Sequence, residues 1–128
     1  MVKRKALFLF LLVLFTAFVG GVLVVVNKAP EVRAFEVSEY QYYIDNFPSE
    51  DNLGVISDSK DLLKKAEGTW IKKYGERIKN QKPYQVFYDE AKGVWLVQGT
   101  LRSDRMGGVA NILVDNDTGK VLAVWHDK

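Results

Sequence analysis

Few residues of this 128-residue chain combine types and spacings suited to catalysis. His126 is the only histidine, and a Ser-His-Asp triad or a histidine zinc site would depend on it although it lies near the fraying end of the chain. Glu67 and Glu76 are separated by a spacing that does not place two carboxylates on one helix face. The chain has no cysteine, which excludes disulfides, thiolate metal sites and lipid-modified cysteine. We therefore expect no enzyme and no cofactor.

The segment RSDRMGG, residues 102–108, combines arginines with a glycine pair and raises the question of phosphate binding. A Walker loop requires G-x-x-x-x-G-K-[ST] between a strand and a helix, whereas here the glycines come last and a strand follows. A long hairpin connection, with Gly107 or Gly108 in an unusual backbone conformation, explains the segment better. Arginine and methionine are enriched at interfaces, so the candidate contacts with a partner protein are Arg102, Asp104, Arg105 and Met106.

A second motif, DNDTGK at residues 115–120, has the aspartate spacing of a calcium loop. In the EF-hand pattern, however, Lys120 occupies the position of the required glycine and His126 that of the bidentate glutamate. The motif therefore predicts a tight hairpin turn in which Gly119 supplies a positive φ, and no metal site.

The element with the clearest helical pattern covers residues 57–74. Ser57 or Asp58 can cap its N-terminus, and Asp61 suits the positive end of the helix dipole. Its apolar residues fall within one arc at helical periodicity, which predicts a single buried face made of Leu62, Leu63, Ala66, Trp70, Ile71 and Tyr74. Continuing the helix would bring Arg77 into that arc, so we expect a break near Gly75.

After the helix, the apolar pattern changes to the two-residue period of strands. The predicted strands are joined by short turns, which indicates antiparallel neighbours; they cover residues 83–88, 94–101, 108–114 and 121–126. The predicted fold class is α+β, with one main helix packed on a four-stranded antiparallel meander.

The central strands are apolar on both faces, because Val94 and Leu96 alternate with Trp95 and Val97. The helix can cover only one face. The aromatic segment 35–47, a second copy of the chain or a foreign protein must cover the other. We expect the aromatic segment to pack on the domain, since such clusters usually belong to a core. The alternative is a patch that contacts a partner or a membrane surface.

The N-terminal region begins with basic residues 1–5, followed by an uncharged run of 21 residues, 6–26. As a helix, this run would span roughly 30 Å, the thickness of one hydrocarbon core. It predicts an uncleaved transmembrane anchor with a cytoplasmic N-terminus and the rest of the chain outside the cytoplasm; a signal peptide is the alternative. Residues 27–56 are predicted to form a tether and 57–128 the domain. Outside the anchor region, 15 basic and 16 acidic residues argue against nucleic-acid binding.

The region 57–128 resembles a bacterial immunity-protein family of the nuclear transport factor 2-like fold. The shared features are an Ala-x-x-x-Trp helix ending in Tyr-Gly, a Lys-Pro-aromatic start of a strand, a Trp-x-Val-x-Gly-Thr-Leu strand, a Gly-Gly-Val strand and an Asp-x-x-x-Gly-Lys-Val-Leu hairpin. The residues concerned are Ala66, Trp70, Tyr74, Gly75, Lys82, Pro83, Trp95, Val97, Gly99, Thr100, Leu101, Gly107, Gly108, Val109, Asp115, Gly119, Lys120, Val121 and Leu122.

The resemblance implies a reduced, cystatin-like version of that cone-shaped fold. It also implies a non-enzymatic protein that binds and neutralises a cognate toxin. Two alternatives remain at this point. One is a membrane-tethered module similar to peptidase-propeptide (PepSY-like) domains, which would modulate a peptidase or sensor. The other is a small-ligand binder or enzyme with a cone-shaped pocket, which would require converging polar groups in a deep cavity.

Overall fold

The computed structural model describes residues 29–102 and 107–127, which form a five-stranded sheet with helices on both faces. The strands are β1 (Val32–Ala34), β2 (Gln85–Asp89), β3 (Val94–Gln98), β4 (Ala110–Asp115) and β5 (Val121–His126). The α-helices are α1 (Gln41–Asn46) and α2 (Ser59–Tyr74), and each adjoins a 3₁₀ helix, Val37–Tyr40 before α1 and Glu76–Gln81 after α2.

The sheet order is β1-β2-β3-β4-β5, and β2 to β5 form the predicted antiparallel meander. The predicted strand count was wrong, because β1 adds a fifth strand parallel to β2, with Val32 opposite Val86. All three β1 residues are exposed. A strand of three residues is too short for its sequence to give a clear alternation, and its pairing partner lies far along the chain.

Helix α2 agrees with its sequence prediction at both ends. The Asp61 amide donates to the Asp58 side chain over 2.8 Å, which caps the first turn. Gly75 has a φ of 89° and ends the helix, so the predicted break is confirmed, and the 3₁₀ helix follows directly.

The core on the α2 side of the sheet contains Leu62, Ala66 and Trp70, all fully buried. The Trp70 indole N–H donates to the Asn111 carbonyl over 3.3 Å, and its ring meets Tyr84 edge-on with centroids 5.1 Å apart. These contacts satisfy the only polar atom of the Trp70 side chain and fix the helix across the central strands.

The opposite face of the sheet is covered by the aromatic segment 35–47, as predicted. The covered strand residues are Val94, Leu96, Leu113, Ala123 and Trp125, and the covering ones include Phe35, Val37, Tyr40, Tyr43 and Ile44. This packing removes the open apolar sheet face as a site for a second copy or a foreign protein.

The chain then continues along the outer edge of β5. The Val124 amide donates to the Phe47 carbonyl over 3.1 Å, and the Val121 amide donates to the Asp51 carbonyl over 3.0 Å. At the β4–β5 turn, the Leu53 amide donates to the Gly119 carbonyl over 2.8 Å. The segment 47–53 thus pairs with backbone groups of β5 that would otherwise be exposed, because β5 is an edge strand of the sheet.

Within the described residues, no helix is long and apolar enough to cross a membrane. The predicted anchor, residues 6–26, lies outside them.

Candidate functional site

The loop between β3 and β4 contains the residues predicted to contact a partner. Leu101 is 49% exposed, and Arg102 is also exposed at the start of the loop. Asp104, Arg105 and Met106 lie outside the described residues, so their role remains a prediction. Gly107 has a φ of 106°, which confirms the unusual backbone conformation expected at the glycine pair.

Gln81, the last residue of the second 3₁₀ helix, holds both strands at the base of this loop. Its side-chain oxygen accepts from the Ala110 amide over 2.8 Å, and its carbonyl accepts from the Thr100 amide over 2.7 Å. A Cβ added at Gly99 would collide with the Gln81 side chain, so a glycine is required there for close approach. The loop therefore extends from a fixed base.

The other side of the base is organised by Asn111, which is 1% exposed. Its side-chain oxygen accepts from the Gln98 amide group over 2.8 Å. Its nitrogen donates to the Val109 carbonyl over 2.9 Å and to an Asp127 carboxylate oxygen over 3.3 Å. Both the oxygen and the nitrogen of this buried amide are thus engaged within the protein, where they hold the base of the loop.

His126 lies beside the same base with both ring nitrogens engaged. Nδ1 is 2.7 Å from the Asp127 carbonyl, which can only accept, so Nδ1 carries the proton. Nε2 is 3.0 Å from the Gln81 side-chain nitrogen. Because the Gln81 side-chain oxygen accepts from the Ala110 amide, the group that faces Nε2 is the Gln81 NH₂, which donates to it. This arrangement leaves neither nitrogen available as a general base or metal ligand.

The Asp115–Gly119 segment forms the predicted hairpin turn. Asp115 Oδ1 accepts from the amides of Asp117 and Thr118 over 2.9 and 3.0 Å, and Gly119 has a φ of 76°. The carboxylate organises its own turn, as aspartate commonly does. In the described part of the chain, no group of three or more His, Cys, Asp or Glu residues could hold a metal ion.

A groove of about 790 Å³ beside α2 is lined in part by Leu63, Pro83 and Tyr84. Three of its polar side chains interact with one another: the Tyr84 hydroxyl donates to Glu67 over 2.7 Å, and Lys82 lies 3.1 Å from the same oxygen. Burial and the bond to Glu67 raise the pKa of Tyr84. Burial acts to raise the pKa of Glu67, but the bonds from Tyr84 and Lys82 outweigh it and lower that pKa. Two of the charged side chains that line the groove, Glu67 and Lys82, thus form an ion pair with each other.

Asp89, the last residue of β2, is a structural residue whose contacts were not predicted from the sequence. It is 7% exposed, and it accepts from the Val37 amide over 2.9 Å and from the Lys92 amide over 3.0 Å. The bond from Val37 is the largest of the contributions that lower the pKa of Asp89. A buried carboxylate therefore joins the β2–β3 turn to the aromatic segment. Only its position at a strand end could have indicated this role.

Not all rings of the aromatic segment are used in covering the sheet. Tyr42 is 64% exposed and Phe47 is 42% exposed, and their ring centroids are 6.5 Å apart. We refer to these two residues as the aromatic patch. The sequence predicted packing on the domain, or partner contact, for the segment as a whole, and its pattern did not separate the covering rings from the exposed ones.

Residues 63–128 match the model of a family described as NTF2 fold immunity protein. This stretch is slightly more than half of the chain and includes most of α2, the meander and the loop base. The chain belongs to this family. No curated protein and no solved structure gives a match. The resemblance predicted from the sequence is thereby confirmed, and an α+β structure with a mixed five-stranded sheet is consistent with that family's fold.

Proposed function

We propose that this immunity-family protein protects a bacterium by binding and neutralising a cognate protein toxin. Membership of the family over residues 63–128 is the observation that carries the proposal. It also favours neutralisation over the peptidase-propeptide-like alternative. The groove gives the small-ligand alternative little support, because three of its polar side chains, Glu67, Tyr84 and Lys82, already interact with one another.

The mode of action proposed is stoichiometric binding without catalysis. The chain's one histidine has both ring nitrogens engaged, and both the oxygen and the nitrogen of the buried Asn111 amide are bonded within the loop base. A protein that acts by occupying a toxin surface needs a rigid scaffold and exposed side chains, and it needs no reactive group.

The β3–β4 loop is proposed as one contact region, with Arg102, Asp104, Arg105 and Met106 as its candidate residues. Its fixed base supports this proposal, because a loop mounted on ordered strands loses less conformational freedom on binding. We further propose that the apolar run 6–26 anchors the chain in the membrane with residues 27–128 outside the cytoplasm, so that protection acts at or beyond the membrane.

The experiment is co-expression with the product of the gene directly upstream, in a host that this product inhibits. Growth should be restored, and an inactivated form of that product should co-purify with this protein at a fixed stoichiometry. The variant Val55→Ser, which alters an exposed side chain outside the loop, should protect as well as the wild type. Equal inhibition with and without this protein, together with no complex, would reject the proposal for that gene pair.

A second comparison tests the loop. The double variant Arg102→Ala/Arg105→Ala should raise the dissociation constant by about 10-fold if the loop contributes to binding. Unchanged binding and protection would remove the loop from the interface while leaving neutralisation itself intact.

A further inference from the structure

The aromatic patch is mounted on the protein core through a stack of rings. Tyr43 packs flat on the buried Trp125, with centroids 4.2 Å apart and planes 13° apart. Phe47 stacks against Tyr43 at 6.3 Å, and Tyr42 meets Tyr43 edge-on at 5.3 Å. The two exposed rings therefore stand on a third ring that is itself fixed to β5.

The backbone beneath the patch is fixed as well. The Asn46 side chain donates to the Tyr42 carbonyl over 2.7 Å, and the Phe47 carbonyl accepts from Val124 of β5. Large aromatic surface that is already ordered binds with little further loss of conformational entropy, which is why such rings often dominate interface energies.

The segment that carries the patch has charges of one sign. Residues 34–59 contain six acidic residues and no basic one. Glu39 and Asp45 each lie three positions from Tyr42, and Glu50 lies three positions after Phe47. All three are exposed. For Glu39, Tyr42 and Asp45, which lie in the consecutive helical turns of residues 37–46, this spacing places the side chains at neighbouring positions of the helical surface.

The following segment has the opposite charge. Residues 60–82, which include α2 on the other face of the sheet, contain eight basic and three acidic residues. Each of the three acidic residues forms an ion pair within this segment, Asp61 with Lys65, Glu76 with Lys79 and Glu67 with Lys82. The aromatic segment 35–47, which covers one face of the sheet, contains three acidic residues and no basic one, whereas the segment that includes α2 on the other face is net basic.

We propose that the aromatic patch docks a cationic surface of the toxin. Lysine or arginine stems would lie across the Tyr42 and Phe47 rings, and their charged ends would meet Glu39, Asp45 and Glu50. This inference rests on the proposed function and names the surface and the partner's charge. Acidic residues around exposed rings disfavour an anionic lipid surface by like-charge repulsion, and they steer a basic protein toward the patch.

The test measures binding of the inactivated upstream gene product to the full chain, at low and high salt. The double variant Tyr42→Ala/Phe47→Ala should raise the dissociation constant by about 30-fold or more, as expected for central aromatic anchors. The variant Asp45→Lys should weaken binding at low salt and flatten its salt dependence, because it removes an attraction that salt screens. Growth protection should fall in both cases.

Matched controls separate this surface from general effects of mutation. Val55→Ser removes an exposed apolar side chain elsewhere, and Glu90→Lys reverses an exposed charge on the β2–β3 turn. Both should bind like the wild type. Thermal unfolding of every variant shows whether the fold is retained, which the exposure of Tyr42, Phe47 and Asp45 leads us to expect.

The outcomes distinguish this inference from the proposed function. If the wild type binds and protects while the patch variants do so equally well, the docking surface is rejected and neutralisation stands. If the wild type neither binds nor protects, both fail. Patch-dependent binding to phosphatidylglycerol vesicles, or patch-dependent self-association in sedimentation, would instead assign the surface to lipid or to a second copy and would overturn the inference.

Discussion

The ring of Tyr43 lies parallel to that of Trp125, with centroids 4.2 Å apart and planes inclined by 13°. One residue belongs to the short helix α1 and the other to β5, the last strand described. Trp125 is 4% exposed, and its indole N–H donates to Asp127 over 3.1 Å. The contact fastens the aromatic segment to the sheet and supports the exposed rings of the patch.

Trp125→Ala should lower the free energy of unfolding by about 3–5 kcal/mol, because it removes a large buried ring and the surface on which Tyr43 stacks. Tyr42→Ala, at an exposed position of the same helix, should change it by less than about 1 kcal/mol. Urea denaturation followed by circular dichroism measures both. Similar values for the two variants would contradict the packing of the aromatic segment on β5.

Trp70→Ala should also lower the free energy of unfolding by about 3–5 kcal/mol, since Trp70 is fully buried between α2 and the sheet. Trp70→Phe retains a ring against Tyr84 and loses the hydrogen bond to the Asn111 carbonyl, so it should cost less than the alanine variant. Chemical denaturation of both variants provides the comparison. A loss below about 1 kcal/mol for Trp70→Ala would show that α2 docks differently.

Two glycine-to-alanine substitutions should have opposite effects. Gly119 has a φ of 76°, and an added Cβ would collide with the Gly54 backbone, so Gly119→Ala should destabilise by more than about 1 kcal/mol. Gly68 lies inside α2 with no atom near an added Cβ, and Gly68→Ala should stabilise by about 0.5–1 kcal/mol. Melting temperatures test the sign of each effect, and a stabilising Gly119→Ala would refute the close approach of residues 53–54 to this turn.

The lowered pKa of Asp89 predicts a loss of stability in acid. Because its pKa in the folded state lies below the ordinary value of 3.8, the carboxylate stabilises the fold above that value. This stabilisation is lost as the pH falls through the lowered pKa. Asp89→Asn should be less stable at neutral pH, because one carboxylate oxygen that accepts a backbone amide is replaced by a donor.

Urea unfolding at a series of pH values from neutral to acid tests this prediction. The Asp89→Asn variant should show a flatter decline of stability below pH 3.8 than the wild type does. Glu90→Gln, at the exposed neighbouring position, controls for the loss of one negative charge. Parallel pH profiles for wild type and Asp89→Asn would contradict the role of Asp89 in joining the β2–β3 turn to Val37.

The elements predicted correctly are those whose signals are local. The Asp58 cap, the arc containing Leu62, Ala66 and Trp70, and the positive φ of Gly119 each depend on residues within a turn or two. The alternation of the meander strands is likewise carried by consecutive residues. Excess apolar residues on the second face also predicted correctly that another segment must cover it.

The features missed are those that depend on distant partners. Strand β1 contains three exposed residues, and its identity as a strand comes from Val86, Phe87 and Tyr88 alone. Asp89 and Val37 are 52 positions apart, so the sequence near either residue does not indicate the hydrogen bond between them. The aromatic patch was missed for a related reason. The path of the aromatic segment across the sheet decides which of its rings face outward, and the sequence of the segment does not show that path.

The hydrogen bonds from residues 47–53 to β5 have a consequence for synthesis. The early part of the chain must wait for Val121 and Val124 before its backbone groups find their partners. The nascent polypeptide therefore cannot close its structure on the ribosome until those late residues have emerged from the exit tunnel. Until then its apolar segments stay exposed, and a chaperone would find a binding site in the aromatic segment whose Tyr43 ring later lies flat on Trp125.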